Sequence, residues 1–176
     1  MTNNNIILSN VKIMFAKEGK AAGIKSRPTE FEGIAMMLYH RFDEDTIAYI
    51  PDTFSEIPDD TLWDAAEKNT FKDTLIMKMG EVLECPDEIS DLYVVTSEDL
   101  YLGASSVLNK AELAMTLPHG TYYMIPSSIH EVLLLRVDGE IDIDTDSVTD
   151  IIRSVNGDVV EEEIQLGDHA YIMEVN

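Results

Sequence analysis

Thr121-Tyr122-Tyr123-Met124-Ile125-Pro126-Ser127-Ser128-Ile129-His130-Glu131-Val132-Leu133-Leu134-Leu135-Arg136-Val137 is the stretch that decides the fold class. Two runs rich in apolar and aromatic residues flank a Pro-Ser-Ser breaker, which is the pattern of adjacent antiparallel strands. Thr121 to Ile125 reads as one strand, residues 126–128 as a turn and Ile129 to Val137 as the next strand. Val132 to Leu135 is apolar without alternation, so this strand is expected at the centre of a sheet with both faces covered.

Outward from this hairpin, Leu92 to Thr96 and Gly103 to Leu108 read as strands. Asn109 opens a helix running to about Leu117, closed by Pro118-His119-Gly120. Val148, Ile151, Ile152 and Val155 follow Asp144-Thr145-Asp146 at helical spacing, with a stop at Asn156-Gly157. Tyr171 to Val175 is a short last strand. Upstream, Phe31 to Arg41 and Thr46 to Ile50 form a hairpin around Asp43-Glu44-Asp45. Asp59 or Asp60 caps a helix from about Thr61, with Leu62, Ala65, Ala66 and Asn69 on one face. Ile6 to Phe15 fits helix or strand, and Lys17 to Pro28 reads as a loop. Strands outnumber helices and come in neighbouring pairs. The class is therefore α+β, with a largely antiparallel sheet and two to four helices.

Charge divides the chain. Its 34 acidic and 12 basic side chains give a net charge of -22. Residues 1–41 hold six basic and three acidic side chains (+3), and residues 42–176 hold six basic and 31 acidic (-25). The expected organisation is a mildly basic N-terminal arm or segment over residues 1–30 and a single acidic α+β domain over 31–176. The 45% apolar content is enough for a core. Cys85 is the single cysteine, which excludes an intrachain disulfide and a cysteine-based zinc site within one chain. No apolar run approaches the roughly 18 residues of a membrane span, and Met1-Thr2-Asn3-Asn4-Asn5 lacks the basic start of a leader. A cytoplasmic protein is expected, one whose acidic body avoids nucleic acid and anionic membranes.

A resemblance covers the chain from about Phe31 to its end. Its residues are Leu62-Trp63-Asp64-Ala65-Ala66-Glu67-Lys68-Asn69-Thr70, Leu92-Tyr93-Val94-Val95-Thr96-Ser97 with Gly103-Ala104, and Met124-Ile125-Pro126-Ser127-Ser128-Ile129-His130-Glu131-Val132. Ser154-Val155-Asn156 and Asp168-His169-Ala170-Tyr171 complete it. In these the chain resembles a family of uncharacterised proteins, a domain of unknown function from Firmicutes and their mobile elements. The resemblance implies no activity. A shorter N-terminus and a higher acidity than typical members suggest a specialised use of the scaffold, by a phage or other mobile element.

Ser127, Ser128, His130 and Glu131 include every residue type of a hydrolase triad, but in contiguous positions. On a strand His130 and Glu131 face opposite ways, so Glu131 cannot orient the imidazole. No Gly-x-Ser-x-Gly elbow surrounds either serine. A hairpin turn that holds its own backbone accounts for them better, and a ligand pocket at Ser127, Ser128 and His130 is the alternative. His40, His119, His130 and His169 show no metal-ligand spacing. No catalytic residue, metal or cofactor is assigned.

Asp138, Glu140, Asp142, Asp144 and Asp146 alternate with other residues, but Gly139 precedes the aspartates, unlike a calcium loop. On extended backbone these carboxylates fall on one side, about 6.6 Å apart. That is close to twice the roughly 3.4 Å rise per nucleotide of one strand. Together with Glu161, Glu162 and Glu163 they form the expected partner surface. The function expected is that of a non-enzymatic acidic inhibitor. It would block a basic nucleic-acid-binding protein, of the CRISPR-effector or restriction-enzyme kind, by nucleic-acid mimicry. A small-ligand or hydrolase-like pocket at Ser127–His130 and an oligomerising structural module are the competing classes.

The chain should fold on its apolar core alone, without a metal. Thermal midpoints measured with and without a chelator are expected to coincide, and a large drop on chelation would reveal a structural metal.

Overall fold

The computed structural model describes residues 7–82, 91–137 and 161–176. The first sheet comprises β1 (Val11–Lys17), β2 (Ser26–Pro28), β3 (Ile34–Arg41) and β4 (Ile47–Tyr49). Its centre is β3. Along one side β1 pairs antiparallel with β3 from Val11↔His40 to Lys17↔Ile34, while β2 and β4 share the other side end to end. The ambiguous first segment is thus a strand. Its burial shows no alternation because both faces are covered. Val11, Ile13 and Leu38 pack under Leu62, Trp63 and Ala66, while Met14, Ala16, Met37 and Tyr39 meet Leu102. Residues 11–28, read from sequence as part of an arm and a loop, supply β1 and β2 to this sheet.

The second sheet comprises β5 (Thr74–Lys78), β6 (Leu92–Ser97), β7 (Gly120–Ile125), β8 (Val132–Val137) and β9 (Tyr171–Val175), in the order β5-β6-β8-β7-β9. All its pairings are antiparallel, so the α+β class holds. As expected, β8 lies inside the sheet, but it begins at Val132 rather than Ile129. Only one of its faces is fully buried, with Val132 and Leu134 buried and Leu133 and Leu135 half-buried. Strand β5 was not anticipated. Its Met77 pairs with Val94 on an outer strand and is half-buried.

The α-helices among the described residues are α1 (Asp59–Phe71), α2 (Met79–Val82) and α3 (Lys110–Thr116). None among the described residues is long and apolar enough to cross a membrane. Helix α1 begins before Thr61. Pro58 stands at its cap and makes no side-chain capping bond, and Asp59 and Asp60 lie in the first turn, where the helix dipole favours them. It buries Leu62, Trp63, Ala66 and Thr70. Asn109 caps α3 as expected, its side chain accepting from the Glu112 amide. The helical spacing at Val148–Val155 lies outside the described residues.

Gly103–Leu108 is not a strand. It is a 3-10 helix packed between the two sheets, with Gly103, Ala104, Ser105, Ser106 and Val107 all buried. Small residues are required there because backbone must approach backbone. A Cβ on Gly103 would sit 2.2 Å from the Ser97 amide nitrogen and 2.5 Å from Thr96 Oγ1. Ser105 Oγ donates to Ile13 O across the gap at 2.8 Å.

Gly103→Ala is expected to destabilise the fold by about 1–3 kcal/mol or more through this overpacking. Urea unfolding measures it. A change under ~0.5 kcal/mol would mean that the 3-10 segment moves aside freely.

Candidate functional site

The Ser127–His130 segment lies between the two sheets and is held from several sides. The Ser128 hydroxyl is buried and accepts the His130 amide at 3.1 Å, and the Ser128 amide donates to Glu131 O. The Ile129 amide donates to Ile164 O at 2.8 Å, and Ile129 O accepts from the Ala104 amide. His130 O accepts from Thr96 Oγ1 at 2.8 Å, while its ring Nδ1 accepts the Leu102 amide at 3.1 Å. The serine therefore engages the histidine's backbone, and Nδ1 engages a main-chain donor. Neither contact is the serine-to-imidazole bond of an activated nucleophile. Burial holds the His130 pKa below its ordinary value against the opposing charge of Glu131.

The bond to His130 fixes an uncommon turn. Leu100 and Leu102 both have positive φ, 56° and 53°, a conformation unfavourable to a residue with a Cβ. The Leu100 amide donates to Ser97 O, and Ser97 Oγ donates to Asp99 Oδ1 at 2.7 Å and lies 3.0 Å from Tyr101 O. The Asp99 carboxylate also takes the Arg41 guanidinium. Burial pushes the Asp99 carboxyl upward, but the Ser97 and Arg41 bonds outweigh it and hold it below the ordinary range.

Of the carboxylates read as a partner surface, Glu161, Glu162 and Glu163 are exposed. Asp138, Glu140, Asp142, Asp144 and Asp146 lie outside the described residues. Other acidic side chains add to the exposed set, among them Asp43, Glu44, Asp45, Asp64 and Glu67. The basic side chains of residues 1–41 fold onto this acidity. Lys12 pairs with Asp73 at 2.6 Å, Lys25 with Asp59 at 2.5 Å, Arg27 with Asp60 at 3.6 Å and Arg41 with Asp99. Lys20 Nζ donates to the carbonyls of Glu162 and Glu163. Among the described residues no group of three or more His, Cys, Asp or Glu is arranged to hold a metal ion.

A cleft of about 600 Å³ opens where the sheets meet at the far end of β1. Lys17, Glu18 and Gly19 line one side, Glu32 and Gly33 a second, and the segment Gln165–His169 with Tyr171 the third. Tyr171 donates its hydroxyl to Glu32 O. Its ring centroid lies 4.5 Å from that of His169 and 5.3 Å from that of Phe31. Asp168 Oδ1 lies 2.9 Å from His169 Nδ1. Burial, and then the charges of Asp168, Glu32 and Glu18, push the Tyr171 pKa up to about 12. The site reading from sequence missed this cleft, because its three sides come from residues 17–19, 32–33 and 165–171. The one local signal was the string Asp168-His169-Ala170-Tyr171.

Residues 29–174 match the model of a family of unknown function, DUF5688, and the chain belongs to that family. No curated protein and no solved structure matches the chain.

His130→Leu should cost about 1–3 kcal/mol, because the buried Leu102 amide loses its acceptor. The depressed pKa gives this effect a sign. Stability from neutral His130 is fully present above the unfolded pKa near 6.5 and falls away as pH drops through the folded value. The difference in unfolding free energy between wild type and His130→Leu should therefore shrink from pH 8 to pH 5. A difference that grew on acidification would show that His130 is held in its protonated form.

Proposed function

We propose that this DUF5688 member is a non-enzymatic acidic interaction protein that occupies the nucleic-acid-binding surface of a basic partner. One observation carries the reading. Five of the six basic side chains in residues 1–41 bond to the chain's own carboxylates or carbonyls. Lys12, Lys25, Arg27 and Arg41 pair with carboxylates and Lys20 with main-chain carbonyls, rather than forming a cationic face of their own. The net charge of -22 is thus presented outward by exposed carboxylates such as Glu161–Glu163, Asp43–Asp45, Asp64 and Glu67. Such a field attracts cationic proteins and repels phosphate backbones. Asp138, Glu140, Asp142, Asp144 and Asp146 extend this surface in the proposal.

The partner class is a basic nucleic-acid-binding protein, such as a CRISPR effector or a restriction enzyme of a host cytoplasm. A phage or mobile-element origin fits that role and rests on the sequence resemblance. The hydrolase-like alternative at Ser127, Ser128 and His130 is weaker, because the Ser128 hydroxyl and His130 Nδ1 are each engaged with a main-chain amide. The reading of an oligomerising module has no specific observation in its favour.

The test is competition on a defined basic DNA-binding protein carrying a fluorescent duplex. The wild-type chain should displace the duplex at low ionic strength and lose this ability steeply as salt rises. Asp142→Lys/Asp144→Lys/Glu162→Lys should slow association by about tenfold or more, since steering is a collective field effect. Displacement that persists unchanged at high salt would point to an apolar interface and overturn the mimicry reading.

A further inference from the structure

We propose that the cleft lined by Glu18, Glu32 and Tyr171 is a socket for an arginine side chain of the basic partner, an inference that rests on the acidic-partner reading above. The chain itself shows the chemistry that the socket would use. Arg27 lies 4.5 Å from the Trp63 ring centroid and pairs with Asp60. Arg41 lies 5.6 Å from Tyr101 and pairs with Asp99. Lys110 lies 5.7 Å from Phe31 and pairs with Glu30 at 2.7 Å. Each time, a cation meets an aromatic ring and a carboxylate together. The cleft supplies two of these three parts. Its ring is Tyr171, backed by Phe31 and His169, and its exposed carboxylates are Glu18 and Glu32 on two walls and Asp168 on the third.

Shape and charge favour an extended cation from another molecule. A volume of about 600 Å³ admits a long side chain with its flanking backbone, and Gly19 and Gly33 leave their two walls open, with nothing within 4 Å of an added Cβ. Burial first, and then the charges of Asp168, Glu32 and Glu18, favour the protonated Tyr171 hydroxyl, in line with a negative field in the cleft. Guanidinium suits the site better than ammonium, because it is planar, stacks on rings and can take one carboxylate on each edge. Lys17 also lines the cleft and would compete with the incoming cation. The socket lies close to the partner surface. Lys20, next to the Glu18–Gly19 wall, bonds the carbonyls of Glu162 and Glu163.

Fluorescein-labelled nona-arginine and nona-lysine, titrated into the full chain at low salt and followed by anisotropy, test the proposal. Nona-arginine should bind several-fold more tightly than nona-lysine. Glu18→Gln/Glu32→Gln, and separately Tyr171→Leu, should weaken nona-arginine about tenfold, and Lys17→Gln should strengthen it. Asp64→Asn/Glu67→Gln removes the same number of charges from the exposed face of α1 and should change affinity less than about twofold. Because Tyr171→Leu touches packing, the exposed Glu18/Glu32 pair carries the decision. If that pair binds like wild type, or loses no more than the α1 pair, the socket is wrong while the acidic-partner reading stands. If neither peptide binds the wild-type chain at low salt, both fall.

Discussion

The outer edge of β1 is closed by side chains, and the joining of the two sheets depends on that closure. Ile13 turns its amide and carbonyl away from β3, and no strand among the described residues covers that side. Instead the Ile13 amide donates to Thr70 Oγ1 at 2.9 Å, and Ile13 O accepts from Ser105 Oγ. Asn69 Nδ2 reaches both Leu8 O and Val11 O. Burying such an edge without partners would cost on the order of 1–3 kcal/mol for each orphaned group. Hydroxyl and amide side chains from α1 and from the 3-10 segment remove that cost and replace a strand. They also determine what can stand beside β1. Thr70 must lie on the buried face of α1, and Gly103 must leave room for Ser105 to approach.

The same economy governs charge. A count along the chain separates a basic start from an acidic remainder, whereas the folded chain intermixes them. Lys12, Lys25, Arg27 and Arg41 reach carboxylates that lie 33 to 61 residues further on. Lys25 is buried, so its contacts to Asp59 and the Asp52 carbonyl offset a real desolvation penalty. More exposed pairs such as Arg27–Asp60 contribute at most ~1 kcal/mol each. The pairing therefore does less for stability than for sign. It consumes cations that would otherwise dilute the acidic surface.

Local signals proved legible where they were strong. The breaker Pro126-Ser127-Ser128 between two apolar runs marked β7 and β8, and Asn109 marked the start of α3. Tyr171–Val175 was visible as the last strand. Legibility failed where tertiary contact overrode propensity. Val107 and Leu108 look extended, yet the segment is wound into a 3-10 helix by the turn ahead of it, which His130 holds. Val11–Lys17 hid its strand character because both of its faces are buried, which erases the two-residue period. Thr74–Lys78 was passed over because its own residues carry no clear two-residue period, and its strand identity comes from pairing with β6. Of the candidate site, Ser128 and His130 bond main-chain groups, in keeping with a hairpin turn that holds its own backbone, and Glu161–Glu163 are exposed. The cleft was out of reach, since Lys17, Glu32 and Tyr171 share no sequence neighbourhood.

The side-chain closure of β1 also sets an order of events during synthesis. All four strands of the first sheet lie within residues 11–49, so they emerge early and can pair with only short loops to close. Thr70 follows after a further stretch of chain, and Ser105 later still. At translation rates of about 5–20 residues per second, the outer edge of β1 stays open for on the order of seconds. An open, apolar strand edge is a template for pairing with another chain. Lys12 and Lys17, at the two ends of this strand, are then cations without the acidic body folded around them. They would serve as gatekeepers on the nascent chain before either is brought to its place in the finished fold.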